Sequence, residues 1–231
     1  MRSRYGEREA RVLEIGGARV PALFSAPNAD APVPAALLLH GWSSRKERMA
    51  DTIGDALLDV GIASVSIDLP LHGERAGAIP RDPFTALRLW SAALAECAAA
   101  MRWLGAHPKV DADRLAIAGY SLGSFLALEH AARDGDVRAV VVASGGDLPE
   151  RTPMLPVVRR VIDPLRTVKK LAGRPLLMLH GTDDRTVLPT QAQRLFEAAV
   201  DPKEIRWWPS GHRLPDPAID AGAAWLSAKL R

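Results

Sequence analysis

Residues 114–133 read RLAIAGYSLGSFLALEHAAR. Leu115 to Ala118 make a short continuous apolar run, the pattern of a strand buried on both faces of a sheet. From Leu122 onward the pattern is that of a helix. The change falls at Ser121, with Gly119 two residues before it and Gly123 two after. A strand that passes into a helix within one residue presses the two elements together, and glycines at those spacings leave the room. Ser121 then stands at the end of the sheet beside a helix N-terminus, where the Leu122 amide can point at a developing negative charge. The pattern Gly-x-Ser-x-Gly is short, however, and a serine there can also do no more than cap the helix. What else the chain supplies, and in what order, separates the two readings.

The strand-then-helix unit repeats on both sides of this stretch. Upstream, AALLLHG (35–41) and IASVSIDLP (62–70) read as strands, joined by a helical stripe over about 45–60 that Gly61 closes. A long helix follows over 84–105, with Leu87, Trp90, Leu94, Cys97, Met101 and Leu104 on one face. Downstream, VRAVVVASGG (137–146), RPLLMLHG (174–181) and EIRWWP (204–209) are strands, and 190–200 and the tail from about Pro217 are helices. The opening ARVLEIGGARVPALFSAP (10–27) reads as an antiparallel pair turning at Gly16–Gly17. This alternation predicts a single α/β domain over 1–231, a mostly parallel eight-stranded sheet with helices on both faces. Residues 145–174 break the rhythm and lie after a strand's carboxyl end. They are expected to form a small cap or pocket wall, with an ordinary crossover helix as the alternative.

Composition narrows the function classes. Hydrophobic residues are 48% of the chain but aromatics only 5%, so Ala, Leu and Val must fill the core. The formal net charge of +3 is scattered, and no basic run interleaves with aromatics, so no nucleic-acid partner is expected. The one cysteine, Cys97, can form no intrachain disulfide and reads as a small buried hydrophobe. No stretch looks like a signal peptide or a membrane span, so a soluble cytoplasmic protein with no membrane partner is the expectation. No His-Glu-x-x-His, clustered Cys/His spacing, phosphate loop or dinucleotide fingerprint is present, so neither metal nor cofactor is expected.

A nucleophilic serine needs a base. Of the six histidines, His107 and His130 fall in or just beyond helices and read as surface residues. His40 and His180 end apolar strands, where the local role is a hydrogen bond to backbone, while His72 sits in a loop that allows either role. His212, in WWPSGHRLPD (207–216), lies on a loop after the last strand and is the candidate base. The base wants a carboxylate to fix its tautomer. Asp183 and Asp184 both follow the strand 174–181, and either gives the chain order serine, aspartate, histidine.

On LLLHGW, DLPLHGER, GYSLG, LHGTDDRTVLP and SGHRLPD the sequence resembles the α/β-hydrolases over essentially its whole length. It is most similar to the branch of the dienelactone hydrolases and prolyl-oligopeptidase-like enzymes. The resemblance implies the α/β-hydrolase fold and the triad Ser121, Asp184 and His212. Asp184 takes the acid's position in the family pattern His-Gly-x-x-Asp-x-x-Val-Pro, although Leu188 is inserted between Val187 and Pro189. Asp183 remains the second candidate and Asp147, after an earlier strand, the third. The family's second oxyanion donor is the residue after His-Gly, here Trp42, alongside Leu122. Dienelactone hydrolases use cysteine at the elbow, so the serine argues against that activity. The expected function is hydrolysis of small-molecule carboxylic esters with short to medium acyl chains through an acyl-enzyme. Thioesterase, amidase or small-peptide hydrolase activity on the same triad, lactone opening or perhydrolysis, and a non-catalytic ligand-binding protein are the alternatives.

Overall fold

The computed structural model describes residues 2–3, 6–78, 82–133, 135–152, 154–171 and 173–231. Strand β1 (Arg2–Ser3) pairs with β2 (Gly6–Ile15), which turns back at Gly16–Gly17 into β3 (Ala18–Pro27) with Ile15 opposite Ala18. Next in the sheet is β5 (Ala63–Ile67), antiparallel to β3, and then β4 (Val33–Leu39). From there β6 (Val110–Tyr120), β7 (Val137–Ala143), β8 (Leu176–Gly181) and β9 (Lys203–Trp208) continue in parallel. The order is β1-β2-β3-β5-β4-β6-β7-β8-β9. The eight expected strands are all present, and β1 adds a two-residue strand at the edge.

The helices cover both faces, as the alternation requires. Helix α1 (Lys46–Met49) runs through one π-type turn (Ala50–Gly54) into α2 (Asp55–Asp59), and with α8 (Asp216–Lys229) it covers one face. On the other face lie α3 (Pro83–Gly105), α4 (Leu122–Ala131) and α7 (Pro189–Ala198). Side chains of a strand alternate between these two layers. Leu37 and Leu39 of β4 face α3 and α4, whereas Ala36 and Leu38 face α2 and α8. Each fully buried Leu, Ile or Val contributes about 1.5–3 kcal/mol. Strands loaded on both faces therefore have nowhere to go but the middle of the sheet.

Residues 145–174 divide in two. Helix α5 (Leu155–Val161) has no fully buried residue and is pinned by the Arg159 guanidinium, which donates to both Asp147 carboxylate oxygens at 2.8 Å. Helix α6 (Pro164–Val168), capped by Asp163, packs on α4 and α7 and sends Val168 into the core, joined there by Leu171 from the 3-10 turn that follows (Lys169–Leu171). The first half thus carries a helix without buried residues, and the second packs into the core and leads into β8.

Candidate active site

Ser121 sits between β6 and α4 at φ 50° and ψ −111°, a region that non-glycine residues avoid. Holding it there costs about 1–3 kcal/mol, which the surroundings must offset. They do so with three hydrogen bonds: the Ser121 amide donates to Ala143 O at 2.9 Å, and Ser121 O accepts from the Ser124 amide at 3.0 Å and from Ser124 Oγ at 2.5 Å. The flanking glycines are needed because the backbones touch. A Cβ on Gly119 would stand 2.2 Å from Gly123 O, and one on Gly123 would stand 2.1 Å from Leu39 O.

His212 Nε2 lies 3.0 Å from Ser121 Oγ, and His212 Nδ1 lies 2.8 Å from Asp184 Oδ2. A carboxylate only accepts, so Nδ1 carries the proton and Nε2 presents its lone pair to the serine hydroxyl. The buried Asp184 is completed by its other oxygen, which accepts from the Thr186 amide at 2.8 Å and the Val187 amide at 3.1 Å. The inserted Leu188 falls just outside this loop, as the exposed residue before α7, and leaves the acid's hydrogen bonds intact. Asp183 is exposed and turned to Thr182, and Asp147 is occupied by Arg159. Of the three candidate acids, Asp184 alone reaches His212.

The remaining histidines are structural in their geometry. His40 Nε2 accepts from the Leu69 amide at 3.1 Å, so its Nδ1 donates to Gly41 O at 2.8 Å, and burial lowers its pKa and keeps it neutral. With that carbonyl engaged, the Trp42 amide on the far side of the same planar peptide points the opposite way. His180 Nε2 donates to Val187 O at 3.0 Å, and burial again lowers its pKa. Its Nε2 is 3.6 Å from Asp184 Oδ2, so a neutral ring leaves the acid to His212. His72 bonds Pro70 O through Nδ1 and packs edge-on against Trp42. His107 stacks on Phe24 and Trp103 and is half-buried. His130, expected at the surface, is buried, because α4 is covered along its whole length and offers no wet face there.

Sequence reasoning missed two supports of the site. The Tyr120 hydroxyl donates to His212 O at 2.6 Å and accepts from the Leu214 amide at 3.0 Å, and Ser144 Oγ also donates to His212 O at 2.9 Å. Tyr120 directly precedes the serine, the only signal the sequence offered. The second is a buried ion pair: Lys46 Nζ donates to Asp68 Oδ2 at 3.0 Å, while the Lys46 and Glu74 amides donate to the same carboxylate. Burial alone lowers the Lys46 pKa, but hydrogen bonds to Glu47, Glu74 and Asp68 outweigh it and raise the pKa overall. This pair ties the loop after β4 to the loop after β5, the DLPLHGER segment.

Two hollows meet at Trp42, which is 55% exposed. One, of about 420 Å³, holds Ser121 and His212 and is walled by Tyr120, Met49, Arg48 and Arg213. The other is a slot of about 200 Å³ between Leu69, Leu71, Trp90, Leu122 and Ile162, the last at the end of α5. Among the described residues no cluster of three or more His, Cys, Asp or Glu side chains is placed to hold a metal ion, and no helix is long and apolar enough to cross a membrane.

Comparison with known proteins agrees with this architecture. Residues 36–228 match the model of the alpha/beta hydrolase family. The chain is 28% identical to Esterase YjfP of Escherichia coli (strain K12), over 92% of this chain and 96% of that one. It is also 28% identical to the uncharacterized protein Rv2307c of Mycobacterium tuberculosis (strain ATCC 25618 / H37Rv), over 86% of this chain and 69% of that one. Among solved structures, a cold-adapted esterase from an Arctic intertidal metagenomic library superposes with a TM-score of 0.78 at 24% identity, covering 100% of this chain and 97% of that one. Acetyl xylan esterase 1 from Thermoanaerobacterium sp. JW/SL YS485 superposes at 0.79 with 19% identity, covering 100% and 86%. At these identities the structural matches speak for the fold.

Proposed function

The chain belongs to the alpha/beta hydrolase family, and on that premise we propose that it is a carboxylesterase-type serine hydrolase working through an acyl-enzyme. The observation that carries the proposal is the hydrogen-bonded line from Ser121 Oγ through His212 to Asp184, at 3.0 and 2.8 Å. His212 takes the hydroxyl proton as Ser121 attacks the carbonyl, and Asp184 stabilises the imidazolium that results. The amides of Leu122 and Trp42 receive the oxyanion, and each such donor is worth about 2.7–4 kcal/mol in the transition state. His212 then passes its proton to the leaving alcohol, and water releases the acid by the same steps. The 28% identity to Esterase YjfP supports ester over amide.

Short to medium acyl chains suit the apolar slot, which at about 200 Å³ is smaller than pockets that enclose drug-sized ligands, about 300–1,000 Å³. A cytoplasmic setting fits a single, buried cysteine. The test is a fluorophosphonate probe followed by peptide mapping, together with a series of para-nitrophenyl esters from acetate to palmitate. An adduct on Ser121 and a maximum at short or medium chains are expected. A folded but unlabelled protein would refute the enzyme reading, and a maximum at palmitate would refute the chain-length reading.

A further inference from the structure

We infer that the alcohol half of the substrate carries an anionic oxygen group, a carboxylate or phosphate, received between Arg48 and Arg213; this rests on the esterase reading above. Which hollow takes which half follows from the base. His212 must hand its proton to the departing alcohol, so the alcohol lies in the hollow that His212 lines. The slot walled by Leu122 and Trp42 is not lined by His212 and is left for the acyl chain.

The two hollows differ in charge. No Arg, Lys, Asp or Glu lines the acyl slot. The alcohol hollow has Arg48, at the start of the helix after β4, and Arg213, directly after the base. Among the described residues neither guanidinium has an acidic partner, and for Arg48 the reason lies in its neighbours. The acids near Arg48 are taken by other cations: Glu47 by Arg45 and Lys46, and Asp51 and Asp55 by Arg8. One carboxylate, Asp216, shares the wall without an ion pair of its own, so the two arginines leave the hollow net positive. The hollow is also lined by the polar Ser44, Thr52 and Thr186 and by the apolar Met49, Leu214 and Ile219. Two planar guanidinium forks suit a carboxylate or phosphate, which accepts paired N–H bonds.

The experiment compares kcat/KM for para-acetoxyphenylacetate, para-acetoxybenzyl phosphate and the neutral methyl ester of the first. A methylene group insulates the reacting oxygen from the charge in each. At least one anionic ester should be favoured by about three- to tenfold, the range for two exposed ion pairs, with the difference mostly in KM. The phosphate and carboxylate arms then tell which anion the forks prefer. The preference should fall toward unity in R48Q/R213Q and in high salt. An anion placed on the acyl side, in monophenyl glutarate against its methyl ester, should gain nothing. Equal rates for anionic and neutral esters, a preference unchanged in R48Q/R213Q, or the same gain from an acyl-side anion would each overturn the inference. Should no ester be hydrolysed, the esterase reading fails by itself, and calorimetry with the product para-hydroxyphenylacetate decides this one. Binding that R48Q/R213Q weakens upholds it, and no binding overturns it.

Discussion

The same pattern, Leu-x-Leu-His-Gly, ends two strands of the sheet: Leu37 to Gly41 on β4 and Leu177 to Gly181 on β8. Both histidines are fully buried, and burial keeps both below the ordinary value of 6.5. Yet the rings face different work. His40 spans two loops, accepting from Leu69 and donating to Gly41, and so fixes the Gly41–Trp42 peptide, the proposed oxyanion side of Ser121. His180 stays within its own loop, donating to Val187 O, and so shapes the turn that holds Asp184. The glycines differ as well: a Cβ on Gly41 would meet Ser121 Cβ at 3.2 Å, whereas one on Gly181 would stand 2.3 Å from both Ser210 O and Gly211 O. One sequence thus serves two sides of a site, and the loop that follows decides which side.

The sharpest way to break the comparison is at the acid, which only the β8 copy carries. Asp184→Asn should lower kcat on para-nitrophenyl acetate by about 10⁴, since it leaves His212 in the wrong tautomer. Asp183→Asn should stay near wild type, and equal losses would remove Asp184 from its role. The glycines come next. Gly181→Ala should displace the His212 loop and cost about 10²-fold in kcat, the scale of an ångström-sized misplacement. Gly41→Ala needs a shift of only tenths of an ångström and should cost clearly less in the same assay. Thermal denaturation then separates the two rings. His40→Leu strands the fully buried Leu69 amide, while Gly41 O keeps the Ser44 amide, and His180→Leu strands the part-buried Val187 carbonyl. At about 1–3 kcal/mol for a buried group, His40→Leu should lower Tm more. His180→Leu should nonetheless be the worse for kcat, because its loop holds the acid.

The smallest effect is with pH. Both rings resist protonation in the folded state, so the unfolded chain binds more protons near their ordinary value of 6.5. Their contribution is complete above that value and is lost as pH falls toward the lower folded values. A denaturant series from pH 7.5 to 5 should show stability declining, and less steeply in His40→Asn/His180→Asn. Identical slopes would mean that neither ring titrates differently in the folded chain.

Much of this was legible because it is local. The apolar runs, the turn glycines and the short motifs around Ser121, Asp184 and His212 are each written within a few consecutive residues, and the parallel strands deliver these loops to the same edge of the sheet. What was not legible depends on contacts across the chain. Tyr120 meets His212 from 92 residues away, and Lys46 meets Asp68 across two loops. His130 looked exposed because a helix pattern gives a face but not its cover. The segment 145–174 allowed both cap and crossover, since Val157 and Val161 have the apolar spacing of a packed helix yet lie exposed.

Tyr120 also bears on how the site comes apart. Its hydroxyl joins the backbone on both sides of Arg213 to the strand that carries the nucleophile, with Ser144 reinforcing it from the next strand. The loop of the base is therefore a rider on the central sheet, and its opening is coupled to the fraying of β6 and β7. The Leu214 amide should exchange its hydrogen on the slow clock of those strands, and base and nucleophile should lose their alignment only when the middle of the molecule lets go.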